Sequence, residues 1–312
     1  MKKIITVLLC SIVVSCSTYV EKPEVITVDY KSADAPQKFY QSLRDTGFAV
    51  IENHPIAPEL LEKIRNEWKA FFANSEINKS LYHHTNHPQT MLGYYPLGIE
   101  NAAGSTQQKN QMEYFHYALN QGVLSGTLDE VTARYFRDML KLCKQLLVWL
   151  DQEMDKNVAL PKGVTNLQGI MTDALPYTIT RILHYPAASS NDKETVVNVE
   201  HTDISMLSLL FATRSGLQVK DNNGNWHSVG GDPAKLVVNA GDMLKWATQG
   251  HIRSTIHRVV RQPGDAEERF SFPVFVGMNP DVKFADGRTV KEAFIERIQS
   301  NGINVEGVKA GE

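Results

Sequence analysis

Residues 199–210, VEHTDISMLSLL, place His201 and Asp203 two apart at the head of an apolar run. In an extended strand such a pair shares a face, with Cα atoms about 7 Å apart. An H-x-D is a weak signal by itself, because chance pairs are common. A third donor of the right type stands in STIHRVV, where His257 lies in another β-rich run 54 residues after Asp203. Two imidazoles and one carboxylate on one face would hold a divalent metal and leave part of its coordination sphere open. Octahedral Fe(II) would keep three positions, and zinc would accept the same donors. The next run, RFSF, sets Arg269 and Ser271 on one face. A planar guanidinium beside a hydroxyl suits the far carboxylate of a dicarboxylate co-substrate whose 2-oxo acid end chelates the metal.

These residues need a rigid frame, and the second half of the chain supplies β-rich runs. YTITRILHYP, TVVNVEH, SMLSLLFA, GLQVKD, WHSVGG, KLVVNAGDML, RSTIHRVVRQ and RFSFPVFVGM are separated by turn signals such as Asn223-Gly224, Gly230-Gly231 and Ala240-Gly241-Asp242. About eight short strands at this spacing predict a closed sandwich or jelly roll. The first half reads as strand, helix, strand, helix. EVITVDY alternates, SADAPQKFYQSLRDTG is a helix stopped by Gly47, FAVIENH is a strand, and APELLEKIRNEWKAFFANS has apolar positions at i, i+3 and i+4. Residues 82–110 read as a long ordered loop, and a strong helix is expected over about 127–155. TVKEAFIERIQSNG closes the chain as a helix. With no repeat and no linker between the halves, one domain is expected. It comprises a flanking helical and β region over 24–175, a core over 176–280, and a C-terminal helix and tail over 281–312.

The motifs together resemble the isopenicillin N synthase-like family of iron/2-oxoglutarate-dependent oxygenases. H-T-D is followed by H-R-V and then by R-F-S. GFAVIENHPI, GYYPLGIENA, RILHYP, GLQVKD…W, LVVNAGDML and STIHRVV match in order over residues 24 to about 280. The resemblance implies a mainly β fold with flanking helices, built on a double-stranded β-helix (jelly-roll) core. It implies Fe(II) held by His201, Asp203 and His257, with 2-oxoglutarate and O2 as co-substrates. Arg269 and Ser271 would hold the distal carboxylate of 2-oxoglutarate, and Tyr185 of RILHYP matches a family tyrosine that reaches the same molecule. The implied reaction oxidises a C–H bond of a small molecule, hydroxylation by default, with release of succinate and CO2. One departure is Leu183, where many plant members carry asparagine. Some relatives use the Arg and Ser for the substrate's own carboxylate and need no 2-oxo acid, so an oxidase remains the alternative. A non-catalytic, cupin-like metal-binding lipoprotein is the other.

Other candidates read as structural. His251 has no carboxylate two residues away, His54 lies outside the ligand motif, and Arg258 follows a ligand and points to the opposite face. Asn239 stands before a turn, where it usually serves backbone geometry. Tyr114 and Phe115 in QMEYFHYAL align with the stretch that lines the substrate side of relatives.

The 312 residues carry 32 basic and 35 acidic side chains, a net charge of −3, with no long basic block. That balance argues against a nucleic-acid partner. MKKIITVLLCSIVVSCS has two lysines, an apolar stretch too short to span a bilayer, and then Ser15-Cys16. VVSC resembles a bacterial lipobox, which implies a signal peptide over 1–15, a lipidated Cys16, a tether over 16–23 and export to the periplasmic face of a membrane. The mature chain would carry 30 basic against 35 acidic residues. A misassigned start codon would instead leave the protein in the cytoplasm. Cys143, inside an apolar helical run, is the remaining thiol and reads as a small core residue, so no internal disulfide is possible.

Overall fold

The computed structural model describes residues 24–99, 110–187, 194–263 and 266–300. The signal-like segment 1–15, Cys16, the tether, residues 100–102 of GYYPLGIENA and the tail after Ser300 lie outside those residues. The strands are β1 (Thr27–Asp29), β2 (Phe48–Glu52), β3 (Gly93–Tyr95), β4 (Glu113–Tyr117), β5 (Met171–Thr172), β6 (Ile179–Tyr185), β7 (Thr195–His201), β8 (Leu207–Ala212), β9 (Leu217–Lys220), β10 (Trp226–Ser228), β11 (Leu236–Ala240), β12 (His257–Arg261) and β13 (Arg269–Met278). The helices are α1 (Ala35–Thr46), α2 (Pro58–Phe72), α3 (Glu76–Ser80), α4 (Gly126–Glu153), α5 (Asp242–Ala247) and α6 (Val290–Ser300).

One large sheet runs β1-β2-β11-β8-β13-β6-β4-β3, with β5 added beside β13. A smaller one runs β10-β9-β12-β7. Residues paired directly across strands share a face. Arg269 pairs with Tyr185, and Ser271 pairs with Leu183 on one side and Ala212 on the other. The inner face of the large sheet meets the small sheet in two apolar clusters. Met112, Tyr114, Leu183 and Tyr185 close on Val197 and Val259, while Phe48, Val50 and Val237 close on Leu217 and Val219. These facing sheets form the expected β core with its flanking helices.

The outer face of the large sheet is covered by helices, which explains why β13 is buried along nearly its whole length. α4 buries Val131, Tyr135, Met139, Leu142, Leu146 and Leu150 at helical spacing. Tyr135 donates to the Phe272 carbonyl at 2.6 Å, and Trp68 of α2 donates to Thr132 at 3.0 Å. Each fully buried large apolar side chain contributes about 1.5–3 kcal/mol, so this face is a main source of stability. α1 stops at Gly47, whose φ of 76° puts its N–H on the Leu43 carbonyl. A Cβ there would lie 2.4 Å from Thr255 Oγ1, so only glycine turns the chain into β2 at that place.

Three local expectations differ from the structure. Residues 82–110 are not all loop: Gly93–Tyr95 forms β3 against β4, because three residues are too few to show a period yet pair well across strands. The strand of KLVVNAGDML ends at the expected Ala240-Gly241-Asp242 turn, but the residues from Asp242 form α5 and not part of a β run. β7 ends at His201, so Asp203 lies in the turn beyond the strand. Alternation along one strand therefore does not bring that pair together, although the two side chains still converge.

Candidate active site

His201 is the last residue of β7 and His257 the first of β12, and the two are direct cross-strand partners. Asp203 reaches them from the following turn, with Oδ1 3.8 Å from His201 Nε2 and 3.7 Å from His257 Nε2. One ligand atom from each of the three lies within 4.8 Å of the others. Among the described residues no other cluster of this kind forms.

Backbone carbonyls choose the tautomers. His201 Nδ1 lies 2.7 Å from the Val199 carbonyl and His257 Nδ1 lies 3.1 Å from that of Thr255. A carbonyl only accepts, so each Nδ1 carries the proton and each Nε2 lone pair turns toward Asp203. Asp203 is ordered the same way. Its Oδ2 accepts from Ser208 Oγ at 2.6 Å and Asn239 Nδ2 at 2.8 Å, leaving Oδ1 for the histidines. Burial, and next the neighbouring His257, push the His201 pKa down to about 4, which keeps the imidazole a neutral donor. Burial works to raise the Asp203 carboxyl, but the two histidines with the Asn239 and Ser208 hydrogen bonds outweigh it and hold the group below its usual range. Gly241 makes room behind the turn, since a Cβ there would lie 2.2 Å from the Ser205 carbonyl. Two imidazoles and a carboxylate on one side of a point fit a divalent metal with open positions.

Arg269 is 7% exposed, and burial lowers its pKa from the usual guanidinium value. Its Nε donates to the Arg214 carbonyl at 3.2 Å, and its Cζ lies 5.0 Å from the centre of the Tyr185 ring. Its Nη1 is buried without a hydrogen-bond partner in the protein. A buried guanidinium nitrogen left in this way is costly, and the natural remedy is an anionic acceptor. Ser271, also buried, is the next inward-facing residue along β13. The residues therefore fit a carboxylate at Arg269 and a metal at the His-Asp-His cluster. Leu183, between Tyr185 and Arg181 on the same face, is buried and adds no polar contact.

The remaining candidates separate cleanly. His251 Nε2 is bonded to the Tyr40 hydroxyl at 2.6 Å, and Arg258 donates to Gln218 and covers Trp226 on the outer side. His54 is not part of the converging cluster. Phe115 is wholly buried against Trp68 and Phe71, so it is a core residue. Tyr114 faces inward, stacked on Tyr95 at 4.5 Å and under the Arg181 guanidinium at 4.3 Å. The sequence reading missed Asn239 and Ser208 as partners of Asp203, and it missed Arg181. Arg181 was within reach of it, since the residue stands four before Tyr185 and so shares its face. Nothing local marks Ser208.

The chain matches the 2OG-Fe(II) oxygenase superfamily over residues 176–277 and the family described as non-haem dioxygenase in morphine synthesis N-terminal over residues 25–130. It is 24% identical to the scopoletin 8-hydroxylase of Arabidopsis thaliana over 265 residues, covering 82% of this chain and 71% of that one. It is 27% identical to gibberellin 2-beta-dioxygenase 1 of the same plant over 249 residues, covering 75% and 72%. A solved Shewanella oneidensis structure ascribed to an oxygenase superposes with a TM-score of 0.77 at 32% identity, covering 89% of this chain and 99% of that one. A Neurospora crassa protein solved in complex with alpha-KG shares the fold, with a TM-score of 0.73 at 22% identity over 88% of this chain and 95% of that one. The chain thus belongs to the 2OG-Fe(II) oxygenase superfamily, and is an oxidoreductase that uses Fe(II), 2-oxoglutarate and O2.

Proposed function

We propose that His201, Asp203 and His257 hold the iron, and that Arg269, Ser271 and Tyr185 receive the distal carboxylate of 2-oxoglutarate. When bound, the iron supplies the O2 activation that couples decarboxylation of 2-oxoglutarate to oxidation of a C–H bond. The protein's own groups do the rest. Val199 and Thr255 carbonyls aim the imidazoles, Ser208 and Asn239 aim the carboxylate, and the apolar residues between the sheets keep water from the reacting centre. Hydroxylation of a small molecule is the default outcome, with the substrate entering on the side of Tyr114 and Arg181. The observation that carries the co-substrate assignment is the buried, unpartnered Nη1 of Arg269.

Dialysed protein supplied with Fe(II) and 2-oxoglutarate tests the assignment: succinate formation lost in a folded Arg269→Leu supports it, and succinate formation unchanged by that substitution contradicts it.

We further read residues 24–300 as one domain: a flanking region over 24–175, a core over 176–280 and a closing helix. Residues 1–15 are proposed as a lipoprotein signal, with Cys16 anchoring the enzyme on the periplasmic side of a membrane. What supports this is the lysine pair, the short apolar stretch and VVSC. No helix among the described residues is long and apolar enough to cross a membrane.

A further inference from the structure

A run of buried charge lies behind the strands that carry Tyr185 and Arg269, on the face away from the site. Glu113 of β4 is 6% exposed. Its Oε1 accepts from His184 Nδ1 at 2.7 Å, and its Oε2 accepts from Lys79 Nζ at 2.6 Å and from the Tyr94 hydroxyl. The other ring nitrogen of His184 is 2.9 Å from Glu268 Oε2, and Glu268 Oε1 pairs with Lys69 at 2.9 Å. Lys79 also meets Glu76 at 2.7 Å. The chain turns α3 to make these contacts. Lys79 is 3% exposed while Ile77 and Leu81 of the same segment are 78% and 71% exposed, so charge pairing and not apolar burial sets the facing of α3.

Such a cluster is a poor way to gain stability, because well-packed apolar residues usually serve as well or better. Its placement suggests another use. His184 immediately precedes Tyr185 and Glu268 immediately precedes Arg269, and Tyr185 and Arg269 form the last pair of the β6–β13 ladder. Arg269 is the first residue of β13, where a strand has no further ladder bonds to hold it. The His184–Glu268 contact closes that open end from the outer face.

We propose that His184 and Glu268, held by Glu113 and Lys79, are positioning residues for the co-substrate. They fix Tyr185 and Arg269 in register on the inner face, so that the Arg269 guanidinium meets the carboxylate without first having to be ordered. This rests on Arg269 and Tyr185 being the co-substrate subsite, and the test separates the two claims.

The test uses the full chain loaded with Fe(II) under anaerobic conditions and titrated with 2-oxoglutarate, following the visible absorption band of the chelate. His184→Phe keeps the ring stacked on Phe270 (4.8 Å) and against Phe72 (5.3 Å) but removes both polar links. Glu268→Ala removes the His184 link, and the Lys69 ion pair with it, at a partly exposed position, and it decides the question should His184→Phe not fold. Each variant is expected to weaken 2-oxoglutarate binding by about three- to tenfold with iron affinity unchanged. Glu268→Gln, which can still accept the His184 proton, should recover most of the loss, and the double variant should be little worse than either single one. Unchanged 2-oxoglutarate affinity in folded Glu268→Ala overturns the proposal. Unchanged affinity in Arg269→Leu overturns instead the subsite reading on which it rests.

Discussion

Replacing Asn239 by alanine tests whether the aim of Asp203 is built by its neighbours. The asparagine amide donates to Asp203 Oδ2 at 2.8 Å, and Ser208 donates to the same oxygen at 2.6 Å. With both in place, the carboxylate plane is fixed and Oδ1 is presented to the histidines. Removing one hydrogen bond to an ionised group costs about 1.5–3 kcal/mol, or roughly 10- to 150-fold in an equilibrium constant. Part of that loss falls on the stability of the metal-free fold, since Asp203 is 9% exposed and loses a buried partner. The part that falls on the metal is the freedom of the carboxylate to rotate, and supporting partners of metal ligands typically count for about 10- to 100-fold in affinity. Iron affinity measured by competition with a chromogenic chelator should therefore fall by at least about tenfold in Asn239→Ala. Circular dichroism should show the fold retained. Wild-type affinity in a folded variant would refute the idea that Oδ2 must be held for Oδ1 to bind.

Arg269→Leu should weaken 2-oxoglutarate binding by at least about tenfold with iron binding nearly unchanged, because a buried charge-assisted pair is worth about 2–5 kcal/mol. Tyr185→Phe should do the same more mildly, by about 0.5–1.5 kcal/mol; both are read from 2-oxoglutarate titrations of the anaerobic Fe(II) protein, and equal affinities would remove these residues from the subsite. Cys143 is fully buried and burial pushes its thiol up, so it should resist a thiol reagent in the native protein and react once unfolded. Fast native labelling would contradict the packing of α4. Cys16→Ala should abolish incorporation of a labelled fatty acid in a bacterial host, and an unlabelled full-length chain in the soluble fraction would rule out the anchor.

The parts of this molecule that follow from local rules were readable before the structure. Gly47 announced the end of α1, the apolar spacing from Val131 to Leu150 announced α4, and eight β-rich runs between Ile179 and Met278 announced the core. The triad residues were legible because two histidines and an aspartate stand in order beside an Arg-x-Ser pair. Strand alternation nevertheless does not account for the meeting of His201 and Asp203. The strand stops at His201, and a turn delivers Asp203, which no period-two pattern foresees. Asn239 looked like a turn residue because it stands two before Gly241, yet its amide reaches Asp203 across a sheet, a contact 36 residues long in sequence. The Glu113–His184–Glu268 cluster was likewise invisible, since its members come from three separate strands or their ends and none carries a motif. Long-range partners of this kind depend on register, and register is a property of the whole sheet.

At the centre stands one claim, that the His-Asp-His cluster and Arg269 together make a single iron and 2-oxoglutarate site. The most direct measurement is the visible absorption of the anaerobic Fe(II) protein on addition of millimolar 2-oxoglutarate, in wild type and in His257→Ala. A saturable chelate band in wild type, absent in a folded His257→Ala that no longer retains stoichiometric iron, is the predicted result. No band in wild type, or stoichiometric iron held with normal affinity by His257→Ala, would contradict it.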